Sequence, residues 1–132
     1  MIDDLSVLLN IREAVLNALV GSGVEYIGAF ENITPSTKPP YITEAWDGGV
    51  EKRVTNVANS KDAVLLYTIY LPPDSGIRTA MEITNLLKHA IPVDRSCMAG
   101  DVSVTVTSAS IKAPGAKPNT LEYRLNILLF IG

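Results

Sequence analysis

The sequence predicts an α+β fold: one mainly antiparallel β-sheet with two α-helices packed on one face, in the order α-β-β-β-α-β-β. Three observations carry this. Residues 3–20 and 76–91 repeat apolar side chains at helical spacing. AVLLYTIYL, residues 63–71, is an unbroken apolar run of strand length, rich in β-branched and aromatic residues. The chain closes on two alternating segments, 102–111 and 120–131, joined by a turn that holds two prolines and a glycine. At 132 residues the prior is a single domain, 1–132. Such a domain buries roughly two-thirds of its extended-chain surface, enough for a core without staples.

The first helix spans DDLSVLLNIREAVLNALV, with Asp3 or Asp4 as cap and partner of the dipole. Gly21-Ser22-Gly23 ends it, because glycine tolerates the left-handed position past a helix. At about 100° per residue, Leu8, Ile11, Val15, Ala18 and Leu19 share one face. Ser6, Asn10, Glu13 and Asn17 form a narrow polar arc. Leu5, Leu9, Leu16 and Val20 make a second apolar stripe, set apart from the first mainly by Arg12. One stripe suffices for a helix on the surface of a monomer, so the second calls for a partner, either more of this chain or another subunit.

VEYIGAF, residues 24–30, reads as a short strand, and ENITPSTKPP as an exposed loop stiffened by three prolines. Tyr41–Trp46 reads as a strand. Residues 47–62 are polar and glycine-bearing, and read as a long hairpin arm or loop. Residues 63–71 are apolar on both faces, as in a covered central strand. Pro72-Pro73 stops that strand, and Asp74 or Ser75 caps the second helix. Its buried face is Ile77, Ala80, Met81, Thr84, Leu87 and Ile91, with Arg78, Glu82, Asn85 and His89 opposite, and Pro92 ends it. Val102, Val104 and Val106 alternate with Ser103, Thr105 and Thr107. KAPGAKPN, residues 112–119, reads as the turn. The last strand alternates as far as Asn126, then turns wholly apolar from Ile127 to Ile131. A strand with one wet face does not end that way, so its second face needs cover.

Composition narrows the function classes. The net charge is −3 with no basic block, against binding that relies on phosphate neutralisation. Cys97 is the single cysteine, which excludes an internal disulfide and points to a reducing compartment. Asp3 and Asp4 stand where a secretory leader carries basic residues. The run 63–71 is about half of what a membrane helix needs.

No constellation in the sequence specifies a reaction. His89, Asp94, Ser96 and Cys97 lie close in KHAIPVDRSC, but neighbours across a helix end rarely converge as a triad must. One His and one Cys cannot make a typical zinc set. Gly21-Ser22-Gly23 follows a helix, so it presents no helix N-terminus to a phosphate. Glu44 and Asp47 read as solvated strand ends, with nothing nearby to raise one pKa. Trp46 reads as a binding platform or as a core or interface anchor. The expectation is a protein that is not an enzyme and uses no cofactor or metal. What remains is surplus apolar surface, which in a chain of this size suggests self-association.

The layout resembles the tail terminator, or tail completion, proteins of long-tailed bacteriophages. The resemblance covers nearly the whole chain. It rests on the opening helix IREAVLNALVGSGV, the proline-led strand KPPYITEAW, the long strand VLLYTIYLPP, the helix GIRTAMEITNLLKHAI, and the closing pair VSVTVTSASIK and TLEYRLNILLFI. PVDRSCMAGD is longer than that layout has it.

The resemblance implies a non-enzymatic virion protein: a homohexameric ring on the last ring of the tail tube. The ring would stop tube polymerisation and join the tail to the neck proteins, with DNA passing through its lumen. The implied partners are the chain itself, the tube protein and the neck or head-completion proteins, with no membrane. The implied location is the head-proximal end of the tail, after assembly in the host cytoplasm. Six copies at −3 each carry −18, which suits a lumen that must not hold DNA. Leu5, Leu9, Leu16, Val20, Leu128 and Phe130 are the expected subunit contacts, and Trp46, Val50, Lys52, Arg53, Val54 and Lys38 the expected axial ones. The alternatives are another neck or tail-tube ring component and, from a different class, a small dimeric ligand-binding module.

Overall fold

The computed structural model describes residues 2–27, 40–53, 59–72, 77–99, 102–117 and 120–132. They form an α+β fold of two helices and a curled, mainly antiparallel sheet. The elements are α1 (Asp4–Leu19), β1 (Glu25–Ile27), β2 (Tyr41–Asp47), β3 (Lys52–Arg53), β4 (Asn59–Leu71), α2 (Ile77–Ala90), β5 (Ser96–Ala99), β6 (Val102–Lys117) and β7 (Thr120–Ile131). The sheet order is β1-β2-β4-β7-β6-β5, with β3 paired to the start of β4. All pairings are antiparallel except β1 with β2. The order matches the expected one apart from two additional short strands, β3 and β5.

Asp3 caps α1, accepting from the backbone N–H groups of Leu5 and Ser6. The inner stripe of α1 is buried at Val7, Leu8, Ile11, Val15 and Leu19. Asn10, placed by periodicity in a solvated arc, instead reaches β5: its amide donates to the Met98 carbonyl at 3.3 Å. On α2, Ala80, Ile83, Thr84 and Leu87 are buried, followed by Ile91 just past its end. Met81, expected on that inner face, is exposed, and Ile83 takes a place there instead. A rotation of the face by a fraction of a turn is enough to exchange them.

β4 and β7 form the centre of the sheet, in register from Lys61↔Ile131 to Leu71↔Leu121. Their inner sides are buried under the helices: Leu65, Tyr67 and Ile69 on β4, Leu125, Ile127 and Leu129 on β7. β6 extends to Lys117, so residues 112 and 115–117 pair with β7 where the sequence suggested only a turn. Two register shifts allow this. One leaves Thr107 as an extra residue between Val106 and Ser108, and its hydroxyl donates to the Leu128 carbonyl at 3.1 Å. Such a bulge reverses which side the following residues face. Val104 and Val106 therefore point inward before it, and Ala109 and Ile111 pack on the core after it.

The stretch 47–62 is a hairpin arm at its described ends, since Lys52 and Arg53 pair with Ser60 and Asn59. β2 pairs with residues 64–70 of β4 and β3 with Asn59 and Ser60 at its start, and the register shifts by one residue between them, around Gly49. Gly49 has φ +64, and a Cβ there would lie 2.0 Å from the Asp62 carbonyl oxygen. Only glycine fits this close approach.

Candidate functional site

The described residues hold no group of three or more His, Cys, Asp or Glu side chains placed to bind a metal. In the segment KHAIPVDRSC no hydrogen bond among the described residues joins His89, Asp94, Ser96 or Cys97 to one another. His89, Asp94 and Ser96 are exposed, and the Ser96 hydroxyl lies 3.2 Å from that of Thr105. Asp94 takes a left-handed φ of 71, and its N–H donates to the Val106 carbonyl. Cys97, half-buried, sits 2.9 Å from Oδ1 of Asn10 and 3.0 Å from an Arg95 guanidinium nitrogen. These contacts tie the turn and β5 to α1.

Glu44 overturns its reading as a solvated strand end. It is on the inner side of β2, with its side chain out of contact with water. The Arg12 guanidinium pairs with it at 3.3 Å, and the Tyr67 hydroxyl donates to it at 3.2 Å. Burial is tolerable because a cation and a hydrogen-bond donor share the carboxylate. Arg12 thus does more than separate two apolar stripes: it ties α1 to the sheet. Asp47 is exposed and accepts from the Gly49 N–H.

A second polar cluster fixes the start of α1 to the arm. Asp4 accepts from the Trp46 indole at 3.0 Å and pairs with the buried Lys61 ammonium. Glu51 accepts from the Ile2 N–H at 3.0 Å and from the Asn59 amide. The Ile2 N–H holds the Glu51 carboxyl below its ordinary pKa, helped by Asn59. Trp46 is half-buried against the core. Of the other expected axial residues, Val50, Lys52 and Arg53 are exposed on the arm. Val54 and Lys38 lie outside the described residues.

Besides Val50, Met81, Val93 and Met98, which are exposed in separate segments, the exposed apolar side chains of the described residues group in two places. Along the outer side of α1, Leu5 is 50%, Leu9 49%, Leu16 44% and Val20 80% exposed. On the sheet side away from the helices, Leu128 is 43% and Phe130 44% exposed. Val64 stands opposite Leu128 in the β4–β7 ladder, and Leu66 opposite Asn126. These two half-buried side chains help line a shallow cleft of about 220 Å³ with Ala45 and Asp47. Farther along this face, Tyr41 and Tyr70 stack at 4.6 Å. The six expected contact residues therefore form two patches. Val64 and Leu66 extend the second, as the two-faced apolar run 63–71 indicated.

No known protein family's profile matches the chain, and no curated protein matches it. Among solved structures, 30 chains match. One is 14% identical, with a TM-score of 0.70, and the match covers 94% of this chain and 95% of that one. At that identity the likeness is one of fold, over the full length of both chains.

Proposed function

We propose that the chain is a non-enzymatic, ring-forming structural protein of the tail terminator type. Copies of it would close into a ring, with six as the count the resemblance implies. That ring would cap the end of a phage tail tube, offer a joint to the neck proteins and leave a lumen for DNA. The observation that carries this reading is the pair of exposed apolar patches, Leu5–Leu9–Leu16–Val20 on α1 and Leu128–Phe130 on the sheet. Scattered single apolar residues on a surface need no explanation, but two contiguous patches do. A ring of identical subunits uses two different patches per copy. The layout resemblance supplies the location, and the negative charge suits a channel that DNA must slide through.

Light scattering over a concentration series, followed by electron microscopy of the heaviest species, tests the proposal. The expected result is a species at six times the 14.2 kDa chain mass with an open centre. A compact dimer that does not grow with concentration overturns it and favours a ligand-binding module.

A further inference from the structure

The two apolar patches lie on different sides of the molecule. The inner side of α1 is buried, and its outer stripe is turned about 120° from that side around the helix axis. Leu128 and Phe130 emerge from the side of the sheet away from the helices. A symmetric contact of either patch with its own copy would cover one and leave the other wet. A head-to-tail contact covers both with a single interface.

The charges around the patches are complementary. Glu13 is exposed on α1, between Leu9 and Leu16 along the axis and about 50° from the centre of the stripe. The open face of the sheet carries Arg124 and Lys112, exposed and directly opposite each other across β6 and β7. Glu122, next on that face, is buried, while Asp47 and Asp62 lie at the other end beside Val64 and Phe130. The exposed Lys52 shares a cleft with Asp62 and Phe130 at that end, so what distinguishes the two ends is the paired cations Arg124 and Lys112. The spacings agree as well. Glu13 is ~10–12 Å along the helix from Val20 or Leu5, at ~1.5 Å per residue. Arg124 is four residues, ~14 Å, from Leu128 along the strand.

Resting on the ring reading above, we infer that the outer stripe of α1 in one copy seats on the open sheet face of the next. Glu13 lies at the Arg124–Lys112 end, and one end of the stripe lies on Leu128 and Phe130. The occupant of each patch is a second copy of this chain.

Two variants test this: Leu9→Asp with Leu16→Asp, and Leu128→Asp with Phe130→Asp. Each pair changes exposed residues, and circular dichroism with a urea midpoint checks that the fold is kept. By sedimentation velocity each variant alone is expected to be monomeric. Mixed in equal amounts they are expected to give a species at twice the chain mass and nothing larger, because each supplies one intact patch. Self-association of either variant alone, or a mixture that stays monomeric, overturns the inference.

A charge exchange gives a second reading free of apolar changes. Glu13→Arg alone and Arg124→Glu alone each weaken association by roughly two- to five-fold, and together restore it. Additive weakening overturns the assignment of Glu13 to that end. The two proposals fail separately. Wild-type chains that grow into open filaments through this contact would end the ring reading and leave the contact standing. A six-membered ring that survives both Asp variants would do the reverse.

Discussion

α1 carries two apolar stripes of nearly the same composition, with opposite fates. Leu8, Ile11 and Val15 are fully buried, while Leu9 and Leu16 keep nearly half of their surface in water. The sheet repeats the contrast: Ile127 and Leu129 are covered, Leu128 and Phe130 are not. Hydrophobicity alone therefore does not separate buried from exposed positions in this chain. The helices cover one side of the sheet, and the sheet covers one side of α1. The remaining sides keep apolar residues that folding of a single chain leaves in water. Burial in the fold stabilises the first set. The second set contributes little to the fold.

The largest expected difference between the two sets lies in the central ladder. Leu125→Ala empties a fully buried site and costs about 2–5 kcal/mol by urea unfolding. Leu128→Ala, three residues on, costs about 0.5 kcal/mol or less when measured at concentrations where the chain is monomeric. Equal losses at the two positions would erase the distinction. Next in size is Glu44→Ala, which leaves the Arg12 guanidinium beside a buried gap and costs about 3 kcal/mol. The value belongs near the lower end of the range for broken buried pairs, since the Arg12 side chain is 18% exposed and can reach water. Glu13→Ala, one residue along on the same helix, leaves the urea midpoint unchanged.

Much of this division was legible in the sequence, for reasons that residue patterns encode directly. Helical spacing displayed both stripes of α1, and the failure of alternation after Asn126 marked Leu128 and Phe130. What the sequence did not display were the pairings between distant residues. Glu44 looked solvated because its partners Arg12 and Tyr67 lie 32 and 23 residues away. The Lys61 ammonium is buried for a similar reason, beside Asp4. β5 was hidden because SCMA is short and only half-buried, and its place depends on pairing with β6. The bulge at Thr107 left no local sign, so the inward side of β6 past Val106 could not be read by alternation.

A smaller effect sharpens the contrast at the arm. Gly49→Ala places a methyl group on the Asp62 carbonyl and asks alanine to hold a left-handed φ. It is expected to cost about 1–3 kcal/mol. Gly21 also has a positive φ, of 77, but open space around it. Gly21→Ala therefore costs only the conformational part, ~1 kcal/mol. Equal costs at the two glycines would mean that the arm gives way and does not hold β2 and β3 against β4.

The smallest effect concerns the acid at the head of α1. The Ser6 hydroxyl, with the Ser6 and Leu5 N–H groups, holds the Asp3 carboxyl below its ordinary value of 3.8. The charged form is thus favoured in the folded chain, and the folded pKa is the lower of the two. The stability this contributes is fully present above about pH 4 and is lost as pH falls through the depressed folded value. Asp3→Asn keeps a capping oxygen but removes the titration. The melting temperature of the variant should therefore fall less steeply than that of the wild type between pH 5 and pH 3, with a small gap at pH 7. Glu51, also held below its ordinary value, remains in both proteins, so the difference between the two curves isolates Asp3. Parallel curves would mean that the cap contributes no pH-dependent stability. The start of α1 would then be fixed by Asp4 on Trp46 and Lys61, on the side of the helix that faces the arm.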